Sequence, residues 1–209
     1  MADLLDASAL LSQFADKIRK APEKSERSLV TALNKGGELA RQRGIDQIHS
    51  ELNLERGYIE KNLQITRLAS PGDLRVVITG RARPTTLRTY GGAKIATVAA
   101  KSPVRKLKGD RRRRIARGQK AAGIKPFSVQ RGGTATRWAG GFIVYLKAGN
   151  SLENGNVAMA IRTGKGRDDW KVVYGPSVGS AWKNVRGDIY AEAVQAVASD
   201  FQDTFTRIF

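Results

Sequence analysis

The first third of the chain is dominated by apolar residues recurring at three- and four-residue steps, the spacing of one helix face. A first amphipathic helix is predicted over Leu4, Leu10, Leu11, Phe14 and Ile18. A second is predicted from about Pro22 to Leu52, with its buried face at Leu29, Val30, Leu33, Ala40, Ile45 and Ile48. Glycines at Gly36, Gly37 and Gly44 predict a kink near its middle. A short third helix follows, for which Asn53 is the candidate N-cap.

The hydrophobic period then changes from that of a helix to that of a strand. The stretches "LQITRL" and "LRVVITG" flank "ASPGD", whose Pro-Gly pair predicts a turn and therefore a β-hairpin. Pro84 has no N–H for a strand ladder, so its neighbourhood is either an extended edge segment or a strand exit. Further on, "GGFIVYLKAG", "NVAMAIRTG" and "DWKVVYGPSV" predict an antiparallel meander.

The chain closes on a predicted helix from about Val178 to Ile208, with Ser177 as its candidate N-cap. Its apolar stripe consists of Ile189, Ala193, Val194, Val197, Phe201, Phe205 and Ile208. Helices precede and follow the strands without βαβ alternation. The expected fold is therefore α+β, with N-terminal amphipathic helices and a long C-terminal helix packed on an antiparallel β-sheet. A length of 209 residues suits one domain over residues 1–209.

Charge is concentrated in the middle of the chain. Residues 81–137 hold 17 Lys or Arg and one acid, a formal +16, whereas the other 152 residues hold 20 basic and 18 acidic residues. Between about 91 and 141, glycine and proline recur and large apolar residues are few. This region is predicted to be a long basic loop or β-hairpin arm, in which "LKGDRRRRIARGQKAAG" could form a short helix capped by Asp110.

So dense a set of like charges favours an anionic partner, either nucleic acid, a membrane surface or acidic protein. A merely solvated charge run is the alternative. Phosphate contacts are favoured over base readout, because aromatics do not interleave with the charges. The candidate binding residues for DNA or a neighbouring subunit are Lys101, Arg105, Lys106, Lys108, Arg111, Arg112, Arg113, Arg114, Arg117 and Lys120. Phe127 and Trp138 are candidates for fastening the region to the body.

The sequence gives little support to disulfide bonds, metal sites, catalysis or membrane insertion. Without cysteine, disulfides, thiolate zinc sites and cysteine catalysis are excluded. The opening residues do not have the pattern of a signal peptide, and no apolar run suits a membrane span. His49, the one histidine, is expected to be an ordinary helix residue, and "RTGKGRDDW" is expected to be a hairpin turn rather than a phosphate-binding loop. No catalytic residue, metal or cofactor is expected.

The order of these features resembles the minor tail protein Z family of long-tailed bacteriophages and prophages. The resemblance runs from about Ser28 to Phe209. It rests on "ALNKGGELARQRGIDQIHSELNLERGYIEKNLQITRL", then "LRVVITG" leading into "RARPTTLRTY" and the basic excursion. "FIVYLKAGN", "AMAIRTGKGR" and "VVYGPSV" complete it before the last helix.

The resemblance implies a structural virion protein rather than an enzyme. Such tail-completion proteins are expected in the phage neck, as a ring around the DNA channel between head connector and tail terminator. The implied partners are further copies of the chain in a ring, taken as a hexamer, together with a tail-terminator protein, a head–tail connector protein and genomic DNA through its phosphates. No membrane partner is implied, and the implied locations are the virion and, during assembly, the host cytoplasm.

Two other functions remain open from the residues alone. A stand-alone nucleic-acid-binding protein without sequence preference would explain the charge equally well. A nuclease or other phosphoryl-transfer enzyme would need clustered carboxylates, for which Asp168, Asp169 and Asp188 are the only downstream candidates.

Overall fold

The computed structural model describes residues 2–6, 22–90, 95–99, 119–145, 157–166 and 168–208. The chain divides into two compact units. The first comprises Met1–Glu51, Glu55–Pro84 and Pro176–Phe209, and the second comprises Leu52–Leu54 and Thr85–Gly175.

The first unit contains long helices and a three-stranded antiparallel sheet. Its elements are β1 (Ala2–Asp6), α1 (Pro22–Glu51), α2 (Arg56–Asn62), β2 (Leu63–Arg67), β3 (Arg75–Gly80) and α3 (Val178–Ile208). The strand order is β1-β3-β2, with β3 in the centre. This arrangement confirms the α+β class, the helix predicted from Pro22 and the hairpin predicted around "ASPGD".

Helices α1 and α3 pack closely because glycine occupies the contact points. Gly36 lies against Val197 and Gly44 lies against Trp182, which is 1% exposed. A Cβ at Gly37 would come within 2.6 Å of Val76 Cγ1 on β3. These glycines therefore have a packing role that the sequence did not indicate. The kink predicted at them stays a prediction, and α1 is continuous over its whole range.

The core of the first unit follows the predicted apolar stripes. On α1 the buried stripe residues are Leu29, Leu33, Ala40, Ile45 and Ile48, and on α3 they are Ile189, Ala193, Val197 and Phe201. Val30 and Val194 are half-buried, and the side chains of Phe205 and Ile208 lie outside the described set. Tyr190 packs edge-to-face on Trp182, with ring centroids 5.7 Å apart. Burial raises the pKa of Tyr190 to about 12.

The hairpin between β2 and β3 is closed by the predicted turn chemistry. The backbone N–H of Ser70 donates to Asp73 O at 3.0 Å, and Asp73 N–H donates to Ser70 O at 2.9 Å. Gly72 has a φ of +81°, which glycine adopts without strain. Asn34 of α1 holds the preceding residue Ala69 through two hydrogen bonds, of 3.1 and 2.8 Å.

The prediction of an N-terminal helix that includes Leu4 is wrong for the first residues of that helix. Residues 2–6 form β1, which pairs antiparallel with β3, with Leu4 opposite Val77. The backbone ladder to β3 replaces the bonds that a local helix would have made, so tertiary pairing overrides the helical spacing. Residues 10, 11, 14 and 18 of the prediction lie outside the described residues.

Helix α3 begins and ends where the sequence predicted. Ser180 N–H donates to Ser177 Oγ at 2.9 Å, which confirms Ser177 as the N-cap. The cap predicted for Asn53 is wrong. Helix α2 begins at Arg56 behind Glu55, which makes no side-chain cap bond.

The second unit is built from short antiparallel strands. Its elements are β4 (Thr85–Thr86), a 3₁₀ turn (Leu87–Thr89), β5 (Ile95–Ala99), β6 (Gln119–Ile124), β7 (Gly141–Tyr145), β8 (Val157–Arg162), β9 (Trp170–Val172) and β10 (Tyr174–Gly175). Strand β4 pairs with β10, β5 pairs with β6, and β7-β8-β9 form the predicted meander. Pro84 lies between β3 and β4, outside both strands, as the strand-exit interpretation expects.

The prediction of a short helix in "LKGDRRRRIARGQKAAG" is wrong for the C-terminal end of that stretch. Residues 119–123 of that stretch belong to β6, where they pair with β5. Asp110 and the arginines that follow it, Arg111 to Arg114 and Arg117, lie outside the described residues. The ladder with β5 supplies hydrogen bonds for this segment that its sequence spacing does not reveal.

Candidate functional site

The two units differ sharply in charge. The ranges of the second unit contain 20 Lys or Arg and four acids, a formal +16. The ranges of the first contain 17 basic and 15 acidic residues, a formal +2. The basic excess seen along the sequence therefore belongs to one structural unit, which becomes the candidate binding unit.

Within the first unit, side chains of opposite sign neutralise one another. Lys35 Nζ lies 2.8 Å from Asp200 Oδ1, and Arg43 Nη2 lies 2.9 Å from Glu192 Oε1. A hydrogen bond from Arg75 holds the pKa of Asp73 below its ordinary value, and the charge of Arg67 adds to the effect. These exposed pairs contribute little to stability but leave the surface without a large net field.

Most of the sequence-predicted site residues lie outside the described residues. These are Lys101, Arg105, Lys106, Lys108, Arg111, Arg112, Arg113, Arg114 and Arg117. Lys120 lies on β6 opposite Val98, although its side chain is not described. The predicted binding role of this set, and the loop or arm predicted over 91–141, stay predictions.

Strands β5 and β6 flank this basic stretch in sequence. They pair antiparallel from Ala99↔Gln119 to Ile95↔Ile124, with an irregularity between Ile95 and Thr97. Val98 is 45% exposed, and Gln119 is exposed as well. The ladder places Ala99 and Gln119 opposite each other, and in sequence these residues precede and follow a segment, 101–118, that contains nine Lys or Arg.

A second ordered feature follows β6 directly. We call residues 125–138 the basal hairpin. Its two sides pair at Phe127 and Thr136, whose backbones exchange hydrogen bonds of 3.3 and 2.9 Å. A turn with a 3.2 Å bond from Gly133 N–H to Gln130 O closes it, and Gly132 inside the turn has a φ of +72°. Positive φ at that position is the reason for glycine there.

Asn53 fastens the basal hairpin to the segment between α1 and α2. Its side-chain Nδ2 donates to Ser128 O at 2.8 Å and to Gln130 O at 3.1 Å. Its backbone N–H donates to Val129 O at 2.9 Å. Three bonds from one residue to three successive residues fix the hairpin's backbone.

Aromatic stacking joins the two sides of the basal hairpin. Phe127 is 5% exposed and stacks on Trp138 with ring centroids 5.8 Å apart. Both rings belong to the basal hairpin itself, so the prediction that these residues fasten the basic region to the body stays a prediction. Because Phe127 is buried in the stack, its ring does not offer a free face to a ligand.

The basal hairpin carries positive charge at exposed positions. Lys125, Arg131 and Arg137 are all exposed, and residues 119–145 contain no acid. Neither Lys125 nor Arg137 has an acidic partner among the described residues. A fixed backbone with exposed cations suits a multiply charged anion.

A sequence model of the family described as prophage minor tail protein Z (GPZ) matches residues 21–207. The chain belongs to the minor tail protein Z family. No curated protein and no solved structure matches it.

Membership in the minor tail protein Z family gives the chain a structural role in a phage tail and a place in the virion. A tail protein works by contact with other structural proteins of the phage. The family is described as one of structural tail proteins, and the lack of enzymatic activity expected from the sequence stays a prediction.

The carboxylates considered for a nuclease are not brought together as a metal site. Asp168 and Asp169 lie in the exposed turn between β8 and β9, whereas Asp188 is exposed on α3 in the other unit. Asp169 Oδ2 accepts a 2.7 Å bond from Gly166 N–H, which confirms the hairpin turn predicted there. In the part of the chain that the structure describes, no group of three or more His, Asp or Glu is placed to hold a metal ion.

His49 is half-buried on α1. None of the described helices is long and apolar enough to cross a membrane.

Sequence reasoning missed the basal hairpin and the role of Asn53. The signal that would have found the hairpin is "QRGGT", whose adjacent glycines mark a tight turn between two short polar runs. Nothing local distinguishes Asn53 as a tertiary anchor, because its partners lie about 75 residues away along the chain.

Proposed function

We propose that this chain is a tail-completion protein of the phage neck, forming a ring around the DNA channel and enabling heads to join tails. The observation that carries the proposal is the charge segregation in a minor tail protein. One unit has a formal +16 beside another of +2. A near-neutral unit suits packing against neighbouring subunits, and a strongly basic unit suits a polyanion.

The proposed ring faces DNA through phosphate contacts. Such contacts carry no sequence information and are individually exchangeable in salt, so DNA can slide past them during ejection. Several copies around a channel multiply the charge into a positive belt. Base-specific contacts would instead hold the DNA in one register.

The proposed partners of the ring are other proteins of the neck. Further copies of the chain would form the ring, taken as a hexamer, with the tail-terminator protein on one side and the head–tail connector protein on the other. The basic residues from Lys101 to Lys120 would contact the genomic DNA or acidic surfaces of these neighbours.

Electron microscopy of particles made without this gene tests the proposal. We expect unjoined heads and tails, or joined particles that fail to hold or deliver DNA. Normal, infectious particles would refute the tail-completion function, and a free nucleic-acid-binding protein would become the leading candidate.

Complementation with charge variants then tests the basic segment. Replacing Arg111, Arg112, Arg113 and Arg114 together by Glu should abolish complementation while leaving the folded body unchanged by circular dichroism. The matched control replaces the same four residues by Lys, which keeps the charge and should complement. Full complementation by the Glu variant would remove the segment from the mechanism.

A further inference from the structure

We propose that the basal hairpin is a rigid binding site for the phosphates of duplex DNA, with Lys125 and Arg137 as its contact residues. The inference rests on the proposed function and deepens it, because it assigns phosphate contacts to folded residues outside the predicted segment 101–120. The site is independent of base sequence, since its groups are cations that bind phosphate as charges and hydrogen-bond donors.

The first support is uncompensated charge on an ordered surface. Lys125 and Arg137 are exposed and have no acidic partner among the described residues, and residues 119–145 contain no acid at all. Some exposed cations of the first unit, such as Lys35 and Arg43, are instead paired with acids, here Asp200 and Glu192. Exposed cations with no partner are available to an external anion without first breaking an ion pair.

The second support is the rigidity of the backbone that carries these cations. Lys125 is two residues before Phe127, and Arg137 directly follows Thr136, so both flank the same bridge. The Phe127–Trp138 stack and the three bonds from Asn53 fix that bridge. A site whose backbone is already ordered loses less conformational entropy on binding than a flexible segment does.

The third support is continuity with the basic segment. Lys125 directly follows β6, and β6 directly follows a segment, 101–118, that holds nine Lys or Arg and one acid. The basal hairpin therefore follows the most basic stretch of the sequence after a single strand.

The high positive charge of the second unit favours duplex DNA over an acidic protein as its partner. Duplex DNA presents one negative charge per about 1.7 Å, so about 27 Å of it balances the +16 of one copy. Another copy of this chain does not, because its first unit has a formal charge of only +2 and pairs many of its acids internally. Unpaired bases are disfavoured as well, since Phe127 is buried and not open for stacking.

The test measures binding of the full chain to a fluorescent duplex of about 30 base pairs by anisotropy, over a series of NaCl concentrations. The variant is Lys125→Gln with Arg137→Gln. Each lost phosphate contact lowers the slope of log K against log salt by about 0.9, so the double variant should lose about 1.8 of slope. Its affinity at 0.1 M NaCl should fall by roughly tenfold or more.

Two controls make the measurement specific. Lys61→Gln with Lys183→Gln removes the same charge from exposed positions of the first unit and should leave the slope unchanged. Lys125→Arg with Arg137→Lys keeps the charge and should restore the slope. Together they separate a local phosphate contact from a general loss of charge or of fold.

An unchanged slope in the double Gln variant would overturn the inference, as would an equal loss in the first-unit control. Stronger binding to a single strand of equal length, or to polyglutamate with the same dependence on Lys125 and Arg137, would overturn the choice of duplex DNA. Failure of the unaltered chain to bind duplex would also overturn it. None of these results decides tail completion, which the gene deletion tests separately through particle joining.

Discussion

At the scale of single residues, Asn53 is the side chain whose role differs most from its local sequence context. An asparagine just before a helical stretch is typical of an N-cap. Here its amide group donates to Ser128 O and Gln130 O instead, while α2 begins three residues later without a side-chain cap. An asparagine amide can donate hydrogen bonds to any backbone carbonyl within reach. In this fold, the two carbonyls within reach belong to the basal hairpin.

Replacement of Asn53 by Ala should weaken the second unit. The variant loses two hydrogen bonds to carbonyls, each with a net contribution of about 0.5–1.5 kcal/mol, so we expect a loss of about 1–3 kcal/mol. Urea unfolding measures it. Asn184→Ala is the matched control, because Asn184 is exposed on α3 and should change stability by less than about 0.5 kcal/mol. Equal effects at both positions would contradict the anchoring role.

At the scale of elements, the packing of α1 on α3 depends on glycines of α1, although glycine is a residue that helices otherwise disfavour. Glycine inside a helix costs about 1 kcal/mol relative to alanine. Gly36 and Gly44 are retained where Val197 and Trp182 of the facing helix occupy the space of a Cβ. Close approach of the two helices offsets the poor propensity, so the glycines lie at contacts rather than at breaks.

Two glycine-to-alanine changes should therefore have opposite signs. A Cβ at Gly44 would come within 2.8 Å of Trp182 Cε3, so Gly44→Ala should destabilise by about 1–3 kcal/mol through overpacking. Gly187 on α3 has nothing within 4 Å of an added Cβ, so Gly187→Ala should stabilise by about 0.5–1 kcal/mol. Thermal unfolding of both variants gives the comparison. Stabilisation by Gly44→Ala would refute the packing role.

At the scale of the whole molecule, the uneven charge makes salt a determinant of stability. The second unit's formal +16 repels itself, and screening reduces that repulsion. The exposed ion pairs of the first unit oppose the effect only weakly. The free energy of unfolding of the chain should therefore be smallest at low ionic strength.

Raising NaCl from about 10 mM to about 100 mM shortens the Debye length from about 30 Å to about 10 Å and should raise the melting temperature. Calorimetry over a salt series measures the rise. A variant with Gln in place of Arg111, Arg112, Arg113 and Arg114 should show a smaller rise, because four of the repelling charges are gone. A melting temperature that falls with salt would contradict self-repulsion as the dominant charge effect.

The sequence by itself determined the α+β class, the hairpin around Pro71-Gly72, the meander and the range of α3 with its Ser177 cap. These depend on local chemistry, namely apolar period, turn residues and capping side chains, which a short window contains. The sequence also located the basic region, because the distribution of charged residues along the chain can be read without knowing the fold.

Only the tertiary structure decided the roles that depend on distant partners. Residues 2–6 pair with β3 instead of beginning a helix, residues 119–124 pair with β5, and Asn53 binds a hairpin about 75 residues away. The basal hairpin as an ordered basic surface belongs to the same group. In each case the deciding hydrogen bonds or contacts join segments far apart along the chain, so no local pattern contains them.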